Sequence, residues 1–407
     1  MRTINVAAVA ATVALGVTAG SAFPAWAQGV TAYEGARIIV GDGRVIENGT
    51  LVVEGARITQ VGAGITVPAG ATRVNLAGKT VMPMILDTHI HASTTREGLV
   101  RDLRQRPYWG VSAAMSMGTD NLELLDMRNK ETPGMARFFS AGKGISRTEG
   151  PGRPTAQINS AAEGRKAVQD NVKLGVDIIK VWVDDREGKV DKVLPDQYAA
   201  IIDEAHKNIV RVTAHIFNEF DGKGLIRAGL DAFAHSVRDK DIDDEMLALY
   251  KSRPIVVNPN LPDRGVKKDI SWLKAGLAPA DYAKMEEANT DRPKAAAAYG
   301  IQARNLNKIN AAGVRIVLGT DGNRPWGPHE EAEDMVVAGL TPMQVIMAAT
   351  KNAAEFLKVA DAGTLEAGKS ADLLVLDANP LDNITNTRKI SAVYLRGQAI
   401  NRSQPIN

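Results

Sequence analysis

With 407 residues, 44% of them hydrophobic and 24% charged, the chain has ordinary globular composition and length for one large core plus a smaller satellite domain, which excludes disordered and fibrous classes. Its 49 basic residues are spread among 47 acidic ones, the net charge is +2 and only 5% of residues are aromatic, so neither nucleic acid nor a membrane surface is an electrostatically favoured partner. The absence of cysteine removes every thiolate from the chemistry and leaves His, Asp, Glu, Lys and hydroxyl groups to carry it.

At the amino end, Arg2 precedes a small-residue apolar stretch, Val6 to Ala22, and Ala25-Trp26-Ala27 offers a small-x-small cleavage pattern before Gln28. Residues 1–27 are read as a removed secretory peptide, which makes the mature protein secreted or periplasmic and free of the membrane. The competing reading, a membrane anchor, is weakened by Gly16 and Gly20. Short alternating runs follow: Ala36–Val40, Gly49–Gly55 and Arg57–Gly62, separated by the turn signals Gly41-Asp42-Gly43 and Glu54-Gly55-Ala56. A similar texture returns in Ala371–Asp377 and Ile390–Gly397. The two chain ends are therefore expected to build one β-sandwich domain from 28–82 and 363–407.

Between them, strand-like and helix-like segments alternate over 83–362, a length that suits a (β/α)8 TIM-like barrel and an α/β fold class. Eight strands are expected in order at Val81–His91, Gly110–Gly118, Ala136–Gly142, Val176–Val183, Val210–His215, Leu230–His235, Ile255–Pro259 and Arg315–Asp321. Helices are expected at Ala161–Leu174, Pro195–Asn208, Gly222–Ala228 and through Asp281–Ala312. The first run ends in His89 and His91, two apart and so on one face of an extended strand, where both imidazoles can reach one metal ion. On its own such a pair is as compatible with a surface loop. The case changes because Lys180, His215, His235 and Asp321 also lie in or at the ends of otherwise apolar strands, and the carboxyl ends of barrel strands form the active face. Six metal-competent side chains would then meet at one mouth.

The order His-x-His, Lys, His, His, Asp, carried by Met84–His91, Asp177–Lys180, Ala214-His215, Ala232–Ser236, Gly319-Thr320-Asp321 and Ala371–Leu381, resembles the amidohydrolase superfamily. Within it the flanking words are similar to the branch of metal-dependent prolidase-like dipeptidases and imidazolonepropionases, over about Tyr33 to Arg402. The resemblance implies a binuclear centre. His89, His91 and Asp321 would hold one divalent ion, His215 and His235 a second, and a carboxylated Lys180 would bridge them. A free ammonium has no lone pair, so a ligating Lys180 requires the carbamate; the alternative is a snorkelling barrel lysine. Zinc suits imidazole and carboxylate, as do manganese, iron, cobalt and nickel.

The implied reaction is attack on an amide-type C–N bond by a metal-bridging hydroxide, with Asp321 as general base and then general acid. The substrate would be a small molecule such as a dipeptide, an N-acyl amino acid or a cyclic amide. Tyr108, Arg147, Arg153 and Trp326 lie on expected loops where an anionic or aromatic substrate would be met, surface exposure being the bland reading of each. His329 either bonds the substrate or caps a helix beginning near Glu330. Two departures from the branch argue against carrying over dipeptide specificity: the loop Thr148–Pro154 lacks the expected Gly/His richness, and Phe217 stands where a second histidine is often found. The alternatives are a mononuclear deaminase acting on an amino-heterocycle and a non-catalytic barrel-fold binding protein. Lys180 and the word Ile216-Phe217-Asn218, without a glutamate, speak against the first, and retention of all six candidate ligands against the second. Barrel enzymes of this kind commonly form homo-oligomers, but no sequence pattern marks an interface.

Overall fold

The structure is a computed structural model that describes residues 29–147 and 155–403. The leader reading, Arg153 and the loop departure at 148–154 lie outside the described residues. The fold begins with β1 (Val30–Ile39), β2 (Val45–Glu54) and β3 (Arg57–Ala63), an antiparallel meander. Its first turn carries Gly41 and Gly43, both at φ +101°, a conformation that costs glycine no steric clash. β4 (Thr72–Asn75) runs parallel to the first half of β1, and β5 (Thr80–Pro83) parallel to the second half.

The run from Val81 to His91 is not one strand. It breaks at Met84, and β6 (Ile85–Ile90) belongs to a different sheet. The physical reason lies at Pro83, which has no N–H to continue a ladder. The next two amides then turn to different neighbours: Met84 N donates to Asp372 O at 3.1 Å and Ile85 N to Gly110 O at 2.9 Å.

From β6 the chain alternates helices and parallel strands. α1 (Arg96–Tyr108) starts at Thr95, whose side chain accepts from Gly98 N, and leads to β7 (Val111–Ser116). β8 (Arg137–Ser140), β9 (Ile145–Arg147) and β10 (Ala156–Ile158) follow, then α2 (Ala161–Lys173), capped by Ser160, and β11 (Ile179–Val183). α3 (Pro195–Lys207) opens on proline, which is pre-set for a first helical turn, and precedes β12 (Val212–Ile216). α4 (Glu219–Ala228) is capped by Asn218 and stops at Gly229 in the left-handed region before β13 (Ala232–Ala234). α5 (Asp244–Ser252), β14 (Val256–Asn258), α6 (Pro279–Ala288), α7 (Pro293–Ala311) and β15 (Arg315–Ile316) complete the alternation. Three further helices, α8 (Gly327–Val337), α9 (Pro342–Ala349) and α10 (Lys351–Leu357), lead to β16 (Leu373–Leu376), β17 (Ile390–Leu395) and β18 (Gln398–Ala399).

The molecule is thus an α/β protein with two parallel sheets, β6-β7-β8 and β10-β9-β11-β12-β13-β14-β15, and one mixed sheet. Every residue of β6, β7 and β11 is buried, as expected of parallel strands covered on both faces. Backbone bonds also join the two parallel sheets, from Thr88 N to Leu318 O at 3.0 Å and from Asp177 N to Ser140 O at 2.9 Å. The mixed sheet unites the chain ends, since β16 pairs antiparallel with β5. By its hydrogen bonds it is one continuous sheet, with β4 branching from β1. β1 makes this so by changing partner from β4 to β5 across register shifts at Glu34–Ile38. The sheet wraps a core of Tyr33, Ile38, Leu51, Ile58, Val81 and Leu373.

Candidate active site

The site begins at the end of β6. His89 is fully buried and His91 partly exposed, and both Nε2 atoms approach Asp321 Oδ1, at 3.2 and 3.1 Å. Ligand atoms of these three residues all lie within 4.8 Å of one another, the spacing of a shared cation. Asp321 reaches them because the segment after β15 is clamped along β6: Thr320 N and Asp321 N both donate to His89 O, and His91 N donates to Gly322 O. Gly319 is required for that approach, since a Cβ there would stand 2.8 Å from His89 N and 2.4 Å from Asn258 Nδ2. Asp87, buried beneath, accepts from His89 N, Thr320 N and the Thr320 hydroxyl, so one carboxylate registers both arms. Burial pushes the Asp87 carboxyl up to about 6, against the charge of Arg106 3.8 Å away.

The remaining three candidates adjoin this cluster. His235 Nε2 lies 3.6 Å from Asp321 Oδ2, and its ring is 5.4 Å from that of His89 and 4.5 Å from that of His215. Lys180 is completely buried, its Nζ has no hydrogen-bond partner among the described residues, and it sits 5.2 Å from the Trp182 ring. Burial pushes its ammonium down to about 7. The same burial, aided by the Lys180 charge, takes His89 down to about 3, and it takes His215 to about 4 despite Asp184. Burial raises the Asp321 carboxyl, but the imidazoles of His89 and His235 hold it well below the usual carboxylate range.

These are the properties of a metal-ligating set. His89 Nε2, Lys180 Nζ and His235 Nδ1 are buried and orphaned among the described residues, and each imidazole is held neutral with a lone pair to give. His215 spends Nε2 on Asp184 Oδ2 at 2.8 Å, which leaves Nδ1 as the atom it could offer a metal, the carboxylate–histidine arrangement common behind metals. His91 Nδ1 meets the Thr119 hydroxyl at 2.9 Å. Sequence reasoning missed Asp184 although it offers a signal: with Lys180 and Trp182 it continues one face of β11 at period two.

The substrate candidates separate. Arg147 lines a cavity of about 90 Å³ together with Ser146, Trp182, Asp184 and His215, but Asp191 holds its guanidinium at 3.1 Å. Tyr108 and Trp326 line a different cavity, of about 300 Å³, whose lining includes none of the six metal candidates. His329 lies inside α8 and is buried, so it neither caps that helix nor faces the site. Its Nε2 donates to Trp109 O at 2.8 Å and its Nδ1 meets Thr387 Oγ1 at 3.1 Å.

The model of the amidohydrolase family matches residues 80–400. Ochratoxinase of Aspergillus niger is 24% identical over 88% of this chain and 83% of its own length. Imidazolonepropionase of Deinococcus radiodurans is 24% identical over 88% of this chain and 93% of its own. Among solved structures, a prolidase candidate from Bifidobacterium longum superposes with a TM-score of 0.75 and 27% identity, covering 93% of this chain and 96% of that one.

Proposed function

The chain belongs to the amidohydrolase family and is a hydrolase of carbon–nitrogen bonds, and on that premise we propose that it is an exported, binuclear metal enzyme that cleaves an amide-type bond in a small molecule. Relatives named ochratoxinase, imidazolonepropionase and prolidase support a substrate range of dipeptides, N-acyl amino acids and cyclic amides. The Met1–Ala27 sequence pattern supports export. Among the described residues no helix is long and apolar enough to cross a membrane. The bonds at Thr88–Leu318 and Asp177–Ser140 favour closure of the two parallel sheets into one (β/α)8 barrel over 83–362, with the six candidate ligands at its carboxyl mouth. The observation that carries the reading is the buried, unpartnered Lys180 Nζ beside a His89–His91–Asp321 cluster whose ligand atoms lie within 4.8 Å of one another.

His89, His91 and Asp321 would hold one divalent ion and His215 and His235 a second, zinc being suited to both. Lys180, as the carbamate formed when its neutral amine adds carbon dioxide and releases a proton, would link them. When bound, the ions supply an acidified water and a Lewis acid for the scissile carbonyl. Asp321, the most exposed member of the cluster, takes the proton of the attacking water at a carboxylate oxygen and returns it to the departing nitrogen. Asp87 and Asn260 keep His89 in place, Asp184 orients His215, and the Trp182 ring, 5.2 Å from Lys180 Nζ, helps exclude bulk water from it.

Elemental analysis of protein grown with bicarbonate and purified without chelator tests the proposal. About two ions per chain are expected in the wild type, with a clear loss in Lys180→Ala. One ion or none, unchanged by the substitution, rules out the binuclear mechanism and brings forward the single-metal deaminase or the non-catalytic binding protein.

A further inference from the structure

Arg238 follows His235 by three residues, and its backbone N donates to Phe217 O at 2.8 Å, two residues past His215. It is therefore fixed between the loops that carry two of the candidate ligands. Other buried or half-buried arginines bind the fold, among them Arg106 to Asn323, Arg128 to Asp177, Arg137 to Asp361, Arg147 to Asp191 and Arg264 to Glu333. Arg238 differs. Its residue is half-buried and its Nε is inaccessible and unpartnered, as it is in those arginines too, but they each bind through another guanidinium nitrogen. Among the described residues, no side chain or carbonyl bonds to its guanidinium. Burial is what chiefly pushes His215, His235 and Lys180 down, and the Arg238 charge adds to it; the same charge assists the His215 bond that holds Asp184 low.

A guanidinium with no hydrogen-bond partner in the fold, beside a cation-binding cluster, keeps its outer donors free for an anion that enters from solvent. A planar fork of donors suits a carboxylate in particular. We propose that Arg238 binds the free carboxylate of the substrate, so that the preferred class is an N-acyl amino acid or dipeptide whose carboxylate lies beside the scissile amide. This rests on the amide-hydrolase reading and narrows it, leaving lactams and other neutral amides as poor substrates. Arg147, already held by Asp191, is not the anchor.

The test compares N-acetyl-L-methionine and N-acetyl-L-phenylalanine with the matching amino alcohols, in which CH2OH replaces the carboxylate. Wild type should prefer the acids. Arg238→Gln should lose roughly 10–100-fold in kcat/KM on the acids, the worth of a charged hydrogen-bonded pair, while changing little on the alcohols. Arg238→Lys should recover part of the loss. No preference in the wild type, or equal losses on both series, overturns the inference while leaving the hydrolase reading intact. If the wild type cleaves neither series, calorimetric titration of N-acetyl-L-phenylalanine decides. Binding weakened by Arg238→Gln upholds the carboxylate site and removes the proposed reaction, whereas absent or unaltered binding overturns the carboxylate site.

Discussion

His89 is useful as a ligand only if its proton sits on the nitrogen that faces away from Asp321. That nitrogen, Nδ1, lies 2.6 Å from the Asn260 amide, whose Oδ1 is buried and has no partner among the described residues. Rotating the amide puts this oxygen on Nδ1–H, which satisfies both atoms and leaves the Nε2 lone pair towards Asp321. Asn260 itself has φ +42°, a conformation asparagine tolerates and glycine adopts freely. Asn260→Gly should therefore keep the backbone but lose the tautomer control, weakening metal affinity by about 10–100-fold with little change in thermal midpoint. A metal titration that gives the wild-type affinity would remove this role. Histidines, Lys180 and Asp321 could be picked from the sequence because they interrupt or end apolar strands. Asn260 and Arg238 could not, since an amide and a guanidinium in loops look the same whether their donors are spent or spare. His329 shows the converse: a histidine near Asp321 in sequence reads as a site residue until both nitrogens are found bound to the fold.

At the scale of elements, strand positions were legible because hydrophobic runs mark them, while partner changes within a run were not. Val81–His91 is apolar throughout up to Asp87, and only the hydrogen bonds of Met84 and Ile85 reveal that it serves two sheets. His329 is a second element-level device, tying α8 to Trp109 after α1 and to Thr387 before β17. Burial pushes its imidazole down to about 4, against the hydrogen bond to Trp109. An unfolded chain would restore about 6.5. Because the folded value is the lower one, the neutral ring contributes its full stability above pH 6.5 and loses it as pH falls from there to about 4. The full difference is about 3 kcal/mol. Urea midpoints measured at pH 7 and pH 4.5 should converge between wild type and His329→Gln at the lower pH, with the wild type ahead at pH 7. A gap that stays constant with pH would show that His329 stabilises by packing alone.

The two kinds of sheet are expected to unfold as one molecule, because a single apolar cluster contains Met82, Leu374 and Val393 of the mixed sheet together with Val181, Val212 and Phe233 of the parallel one. Across the same boundary, Asp361 receives Arg57 of β3 at 2.7 Å and Arg137 of β8 at 2.6 Å. These hydrogen bonds, Arg137 first, hold the Asp361 carboxyl far below its ordinary range even though burial opposes them. The carboxylate is a quarter exposed and Arg57 about half exposed, so screening reduces what the triad contributes. Asp361→Asn should cost about 1–2 kcal/mol, less than a fully buried pair, because two guanidiniums remain facing a neutral amide. The loss should appear as a lower urea midpoint with an unchanged slope and a single transition by both tryptophan fluorescence and far-UV circular dichroism. If the two probes instead separate, the mixed sheet unfolds on its own and the shared core does not couple it to the parallel strands. The distinction bears on catalysis, because β5 and β6 are joined at Met84, and loss of the mixed sheet would free the strand that carries His89 and His91.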